Sequence, residues 1–358
     1  MALTDIATFR IQHLQILDEN GNLDSKLDPK LSKEQLLTMY RWMVLAREAD
    51  ERMLKLQRQG RIGTFALNSG QEAAQVGAGL AMGDKDWLVP SFREAAIRMM
   101  RGVPLVNDLL FYNGFEEGSV YKDLQRVLPI SIIVGSQSLH AVGLAYAMQY
   151  RGEKDAAVVT YIGDGGTSEG EFYEALNFAG VWKAPVVFIV QNNGWAISLP
   201  RHKQTAAQTL AQKGVAAGIP GISVDGNDAL AVYKATKDAL DRAKAGEGPT
   251  IIEAITYRLL QHTTSDDPSR YRTTEEEQSW WAKDPIPRLA GYLKKRKFWN
   301  DELEAALREE VRAEIDEAVK EMEALTALKP DASFDHVYGT QNKEIERQRA
   351  DFLASLGG

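Results

Sequence analysis

Apolar positions along the chain follow two different periods, and the two alternate through its middle. From Ser32 to Gly60 a stripe at three- and four-residue steps opens like a capping box on Ser32 and closes on glycine, which predicts one long helix. AAVVTYI (156–162) and APVVFIV (184–190) are unalternating runs rich in β-branched residues, with the helix-like EGEFYEALNFAGVWK between them, so together they predict a β–α–β unit. Further strands are predicted at ISV (222–224) and TIIEAITY (250–257), separated by a helix over 229–245. Short Val/Ile runs of this kind belong to strands buried on both faces. The chain therefore reads as α/β, a mostly parallel sheet flanked by helices. Between 300 and 328, Leu303, Leu307, Val311, Ile315, Ala318, Met322 and Leu325 recur at helical spacing among charged residues, predicting an amphipathic surface helix. The expected organisation is an N-terminal arm over 1–31, an α/β domain over 32–299 and a C-terminal helical extension over 300–358.

Composition narrows the class. The 358 residues are 44% apolar, enough for a sizeable core. Fifty acidic residues against 42 basic give a net charge of −8, which argues against a nucleic-acid binder and against a polybasic membrane patch. No apolar run is long enough to span a bilayer, and the opening residues lack the charged-then-apolar order of a secretory signal. Cysteine is absent, which removes disulfides, thiolate nucleophiles and cysteine-ligated metals. A cytoplasmic protein is expected.

Candidate chemistry concentrates at two strand ends. Gly163-Asp164-Gly165-Gly166-Thr167-Ser168-Glu169-Gly170 follows the 156–162 strand and opens a helix, so backbone N–H groups there can approach an anion closely. A dinucleotide fingerprint would need glycine at 163, 165 and 168, but 168 is serine, and no Walker sequence occurs anywhere. Gln191-Asn192-Asn193-Gly194-Trp195 ends the next strand, with 26 residues between Gly165 and Asn192, room for one helix and one strand. Parallel strands so connected bring their carboxyl ends together, where open α/β sheets bind ligands. The Asp164 carboxylate, the Asn193 amide oxygen and a nearby backbone carbonyl form a hard, all-oxygen set that suits Mg²⁺ shared with a diphosphate.

GDG followed about 30 residues later by NN resembles the thiamine-diphosphate motif. The likeness is wider than the motif. The stretch 161–198, AAGIPGISVDGND (216–228), GEGPTIIEAITYR (246–258), HTTSDDPSRYR (262–272), GQEA (70–73) and DPIPR (284–288) are similar, in order, to the alpha subunit of the decarboxylating first component of 2-oxo acid dehydrogenase complexes. That resemblance implies a thiamine-diphosphate-binding fold. It places Mg²⁺ on the side chains of Asp164 and Asn193 and on the carbonyl of Trp195. It sets Gly163, Gly165, Gly166, Arg93 and Arg258 around the diphosphate, with Phe92 beside Arg93. Val134 becomes an apolar wedge under the cofactor, with Ile132 near it, and His262 an active-site histidine. In some relatives a structural K⁺ lies where Ser131, Ser136 and Gln137 stand. His13, His140, His202 and His336 have no such context.

The resemblance also implies what the chain lacks. The glutamate that thiamine enzymes hold against the aminopyrimidine ring lies on a separate beta subunit in this family, so an α₂β₂ assembly is expected, inactive as the lone chain. The expected reaction is decarboxylation of a 2-oxo acid, with transfer of the acyl group to the lipoyl group of an acyltransferase component. Phe92 replaces a usual phosphate-contacting tyrosine, Thr64 and Phe65 replace Phe-Tyr beside the substrate, and the loop GFEEGSVYKDLQRVLP (114–129) has lost its histidines. Those departures bear on substrate choice. Pyruvate is the favoured substrate, ahead of branched-chain 2-oxo acids and acetoin; a reading of another class is a non-catalytic structural homologue. Thr263 stands where mitochondrial relatives are phosphorylated, but no such regulation is expected here.

Overall fold

Seven consecutive buried residues, Val186–Asn192, form the strand on which the rest of the fold is laid. The computed structural model describes residues 3–121, 124–325, 329–335 and 337–357. Six strands make its main sheet: β1 (Gln12–Leu14), β2 (Trp87–Val89), β3 (Val158–Gly163), β4 (Val186–Asn192), β5 (Gly221–Asp225) and β6 (Thr250–Ile255). Their order is β1-β5-β6-β4-β3-β2, and every neighbouring pair is parallel. The four strands predicted from apolar runs are all present.

Parallel pairing needs helices on both faces, and the pleat divides the side chains between them. Helix α1 (Lys33–Arg58) packs outside α2 (Glu72–Ala81), and the sheet is flanked by α2, α3 (Ser136–Tyr150), α4 (Gly170–Trp182) and α5 (Ala229–Lys244). Val159, Tyr161, Val187 and Ile189 pack with the small faces of α2 and α5. Val158, Ile162, Val186, Phe188 and Val190 pack on the other side, with Ala141, Val142, Phe172 and Leu176 of α3 and α4. Each such side chain, fully buried, contributes about 1.5–3 kcal/mol. This alternation is what fixes the direction in which the strand ends point.

Ser32 Oγ accepts from Gln35 N–H at 3.2 Å and Ser32 N–H donates to Gln35 Oε1 at 3.0 Å, so the box that starts α1 closes on Gln35. Beyond the sheet lie α6 (Pro285–Lys295), α7 (Asp301–Ala324) and α8 (Lys343–Leu356). Leu36, Met39 and Met43 of α1 pack with Leu289 of α6 and with Leu307, Val311 and Ile315 of α7. The predicted stripe of α7 is buried at those three and at Met322, with Val319 joining it; Leu303 and Leu325 at its ends are exposed. The segment read as an arm carries β1, the edge strand beside β5. Asp228 pins it: Oδ2 accepts from Ile16 and Leu17 N–H at 2.6 Å each, while Oδ1 caps α5 through Leu230 and Ala231 N–H. Residues 326–328 of the predicted last helix, Lys122 and Asp123 of the 114–129 loop, and His336 lie outside the described residues. No described helix is long and apolar enough to cross a membrane.

Candidate active site

The carboxyl ends of β2, β3, β4 and β6 open on a cleft of about 420 Å³. Phe92 and Arg93 reach it just after β2, Gly163 to Gly166 at the end of β3, Asn193 and Trp195 after β4, and Arg258 and His262 after β6. Val134, just ahead of α3, forms part of its wall. The cleft thus gathers every residue that the resemblance set around Mg²⁺, the diphosphate and the active-site histidine, while Ser131, Ser136 and Gln137 lie outside its lining. Ile132 is outside the lining and 57% exposed.

At one end of the cleft a carboxylate is short of partners. Asp164 is 1% exposed and its Oδ2 has no hydrogen-bond partner. Burial pushes its pKa up to about 6, against hydrogen bonds from the backbone and the nearby Arg258 and Arg201 charges. An idle, buried carboxylate oxygen is a costly group to keep, and a cation beside it would remove the cost. Across from it, Asn193 Oδ1 accepts from Trp195 N–H at 3.3 Å and Nδ2 donates to Gln71 Oε1 at 3.3 Å. No cluster of three or more acidic or histidine side chains among the described residues could hold a metal. An ion here would find one carboxylate and one amide in the cleft lining, beside backbone carbonyls and the oxygens of a ligand. That donor set fits Mg²⁺.

The glycine turn beside Asp164 is built for close approach. A Cβ on Gly165 would lie 2.7 Å from Ala196 Cβ, and one on Gly166 would lie 2.6 Å from Ile162 Cγ1 and 2.9 Å from Val134 Cγ1. The turn is also held from outside. Lys213 Nζ donates to Thr167 O at 2.7 Å and to Thr167 Oγ1 at 2.9 Å, Thr167 Oγ1 donates to Asp164 O at 2.7 Å, and Gln204 Nε2 donates to Gly165 O at 2.6 Å.

Two arginines converge on His262. Arg258 Nη1 lies 3.0 Å from His262 Nδ1 and Arg93 Nη2 lies 3.2 Å from the same atom. Arg93 Nη1 also donates to the Leu67 and His262 carbonyls, and Arg258 Nη2 donates to Ile197 O at 2.8 Å and Tyr271 Oη at 3.1 Å. Burial, then the Arg258 charge, lowers Arg93 to about 10. Burial, then Arg93 and Arg258, lowers His262 to about 4. Guanidinium nitrogens only donate, so Nδ1 is an acceptor and the single ring proton sits on Nε2. Asp266 anchors the loop that follows: its Oδ2 accepts from His262 N–H at 2.8 Å and from the Tyr271 hydroxyl. Partial burial pushes Asp266 up, but those two hydrogen bonds, with the nearby Arg258 charge, outweigh it and hold the carboxyl low.

Ser131 and Ser136 meet at 2.8 Å, and both hydroxyls donate to Ile133 O; Gln137 turns instead to Tyr161 O at 2.8 Å, leaving its buried Oε1 without a partner. Phe92 lines the cleft with its ring against the Arg93 guanidinium, 5.6 Å away. Thr64 Oγ1 is 2.8 Å from Ser265 Oγ, and Phe65 O accepts from Thr264 N–H at 3.1 Å, so this pair braces the loop after His262. The lining residues that carried no role in the sequence reading include three buried polar side chains, Gln71, Glu94 and Gln191. Each adjoins a recognised motif, which is the signal that marks them. Glu94 is buried and pushed up to about 6 by that burial; Gln191 Nε2 donates to its Oε1 at 2.6 Å and Arg93 N–H to its Oε2 at 3.2 Å.

Known proteins carry the same arrangement of sequence. The family model described as the dehydrogenase E1 component matches residues 40–331. The pyruvate dehydrogenase E1 component subunit alpha of Acholeplasma laidlawii is 49% identical over 344 residues, covering 95% of this chain and 99% of that protein. Proteins of the same name from Staphylococcus aureus and Staphylococcus epidermidis are 48% and 46% identical over 314 residues, 87% of this chain and 85% of theirs. With a family match over most of its length and relatives near half identity, the chain belongs to the dehydrogenase E1 component family.

Proposed function

We propose that this chain is the alpha subunit of a pyruvate dehydrogenase, acting on pyruvate with thiamine diphosphate and Mg²⁺ and passing the acetyl group to a lipoyl-bearing acyltransferase component. The observation that carries the reading is the cleft itself, where the GDGG turn and the Asn193 strand end face each other with an idle Asp164 oxygen between them. The relatives named for pyruvate, near half identity along most of the chain, support that substrate over its branched-chain and acetoin competitors.

Thiamine diphosphate, when bound, supplies the nucleophilic carbon and the electron sink that decarboxylation needs. The chain's part is binding and electrostatics. Asp164, Asn193 and the Trp195 carbonyl would hold Mg²⁺. The N–H groups of Gly165 and Gly166 and the guanidiniums of Arg93 and Arg258 would hold the diphosphate, whose charge replaces the mutual repulsion of two buried cations. Val134, beneath the cleft, would support the bent cofactor. His262, neutral and carrying its proton on Nε2, would give a hydrogen bond to the substrate rather than a proton. Ser131 Oγ, Ser136 Oγ and the Ile133 carbonyl form an oxygen trio where a K⁺ would sit.

The acid that faces the aminopyrimidine is the missing part. Glu94 is the buried carboxyl nearest in kind, but both its oxygens are engaged by Gln191 and the Arg93 amide. A beta subunit supplying that acid, in an α₂β₂ assembly, completes the reading; exposed Ile132, Ile133, Val134 and Ile197 near the cleft suit a second chain closing over it. A cytoplasmic location belongs to the same reading. The test is the assembled α/β enzyme given pyruvate or 3-methyl-2-oxobutanoate with a lipoyl acceptor. Pyruvate should be the faster substrate; an equal or reversed preference overturns the assignment.

A further inference from the structure

We propose that Gln71 is a further residue of this site: it orients the Asn193 amide and gives a hydrogen bond of its own to an oxygen of the Mg²⁺–diphosphate unit. The inference rests on the reading just given and adds a residue to it.

Gln71 lines the cleft yet is 0% exposed. Its backbone has little freedom. Asp50 accepts from Asn68 N–H at 3.0 Å, Ser69 N–H at 2.9 Å and Ser69 Oγ at 2.6 Å, which fixes the two residues before Gly70. Glu72 accepts from Gly70 N–H at 2.9 Å and is itself paired with buried Arg47 at 2.5 Å. Gly70 has φ +97°, and a Cβ there would lie 2.2 Å from Tyr257 O, so the loop is pressed against the strand end that leads to Arg258. Both neighbours of Gln71 are therefore tied down.

The direction of its amide follows from a donor that cannot be reversed. Trp195 N–H is a backbone group, and it donates to Asn193 Oδ1. Asn193 must then turn Nδ2 toward Gln71, which accepts it on Oε1. Reversing either amide would set donor against donor. Gln71 Nε2 is what remains, a buried donor with no partner in the protein. A buried amide left idle is costly, so such groups normally have a partner, and here the partner comes with the ligand. The acceptors a diphosphate and its metal bring are anionic oxygens and metal-bound water. Both offer the same chemistry to an N–H.

The experiment uses the full chain assembled with its beta subunit, as wild type, Gln71→Glu and Gln71→Met. Glutamate keeps an acceptor for Asn193 and loses the donor; methionine keeps the volume and loses both. Binding of thiamine diphosphate and of inorganic pyrophosphate, each with Mg²⁺, is read by calorimetry. Coordination at the metal is read by the electron paramagnetic resonance spectrum of Mn²⁺ in place of Mg²⁺. Both variants should bind thiamine diphosphate about tenfold or more weakly, and Gln71→Met, which also loses the contact to Asn193, should change the Mn²⁺ spectrum. A matching loss with pyrophosphate assigns the acceptor to the diphosphate; a loss of affinity accompanied in Gln71→Glu as well by a change in the Mn²⁺-bound water signal assigns it to the metal. Unchanged affinity and spectrum in both variants, with wild type binding normally, overturns the role of Gln71 alone. So does a fall in thermal stability with no change in affinity. Failure of the wild type to bind either ligand overturns the underlying reading instead.

Discussion

Arg258 donates to His262 Nδ1 across 3.0 Å, from four residues earlier in the chain. Arg93, brought in from the far side of the sheet, shares the same nitrogen at 3.2 Å. Two cations on one ring nitrogen forbid a proton there, and the consequence is a histidine neutral well below its ordinary range.

Nitrogen-detected NMR of the ligand-free protein should find His262 with Nδ1 bare and Nε2 protonated across pH 6–7, and protonating only near pH 4, where burial and the two arginines place it. The sign for stability follows. The unfolded chain takes up this proton near pH 6.5 and the folded chain only near 4, so stability falls as pH drops through that window. His262→Gln should lessen that acid sensitivity. A His262 that titrates near 6.5 contradicts the arrangement.

Replacing Arg93 by lysine keeps a charge but loses the fork. The Leu67 and His262 carbonyls that Nη1 serves would lose their donor, and a bidentate grip on phosphate would be gone. Calorimetric affinity for thiamine diphosphate should fall by roughly tenfold to a hundredfold, the range for a hydrogen bond to a charged group. An unchanged affinity would remove Arg93 from the phosphate site.

Gly165→Ala and Gly166→Ala ask whether the turn is a cradle or merely a turn. The added methyls would meet Ala196 Cβ at 2.7 Å and Ile162 Cγ1 at 2.6 Å, so the turn must shift in either variant. Both should fold with β3 intact and bind the cofactor at least tenfold more weakly. Full affinity in both variants would mean that the glycines serve only the chain's own geometry.

How much of this was legible follows from what kind of order each residue belongs to. Val186 to Val190 announces itself because a strand buried on both faces needs an unbroken apolar run, and Thr250 to Ile255 nearly matches it, interrupted only by the buried Glu253 after its opening threonine. Asp164 and Asn193 are legible because each ends such a run, and parallel pairing of β3 with β4 then brings them together. The edge strand Gln12–Leu14 is not: its three residues show no apolar pattern, and its place depends on Asp228, more than 200 residues away. Gln71 and Glu94 stand in segments whose likeness was visible. Their roles depend on partners, Asn193 and Gln191, that only the folded sheet supplies. Ile132 shows the opposite fault, since nearness in sequence to Val134 did not put it on the cleft wall.

Lys213 tests the support beneath the turn. Its ammonium makes two hydrogen bonds to Thr167, at 2.7 and 2.9 Å, and burial, then the Arg201 charge, lowers its pKa. Lys213→Met should cost about 2 kcal/mol in urea unfolding of the chain, and should weaken cofactor binding through the loosened turn. Unchanged stability and affinity would show that the turn holds itself.

The proposed site holds a divalent cation and a diphosphate jointly at Asp164. Asp164→Ala, in the chain assembled with its beta subunit, should show no saturable uptake of thiamine diphosphate with Mg²⁺ in a calorimetric titration that saturates the wild type. Uptake at wild-type affinity by that variant would contradict the account.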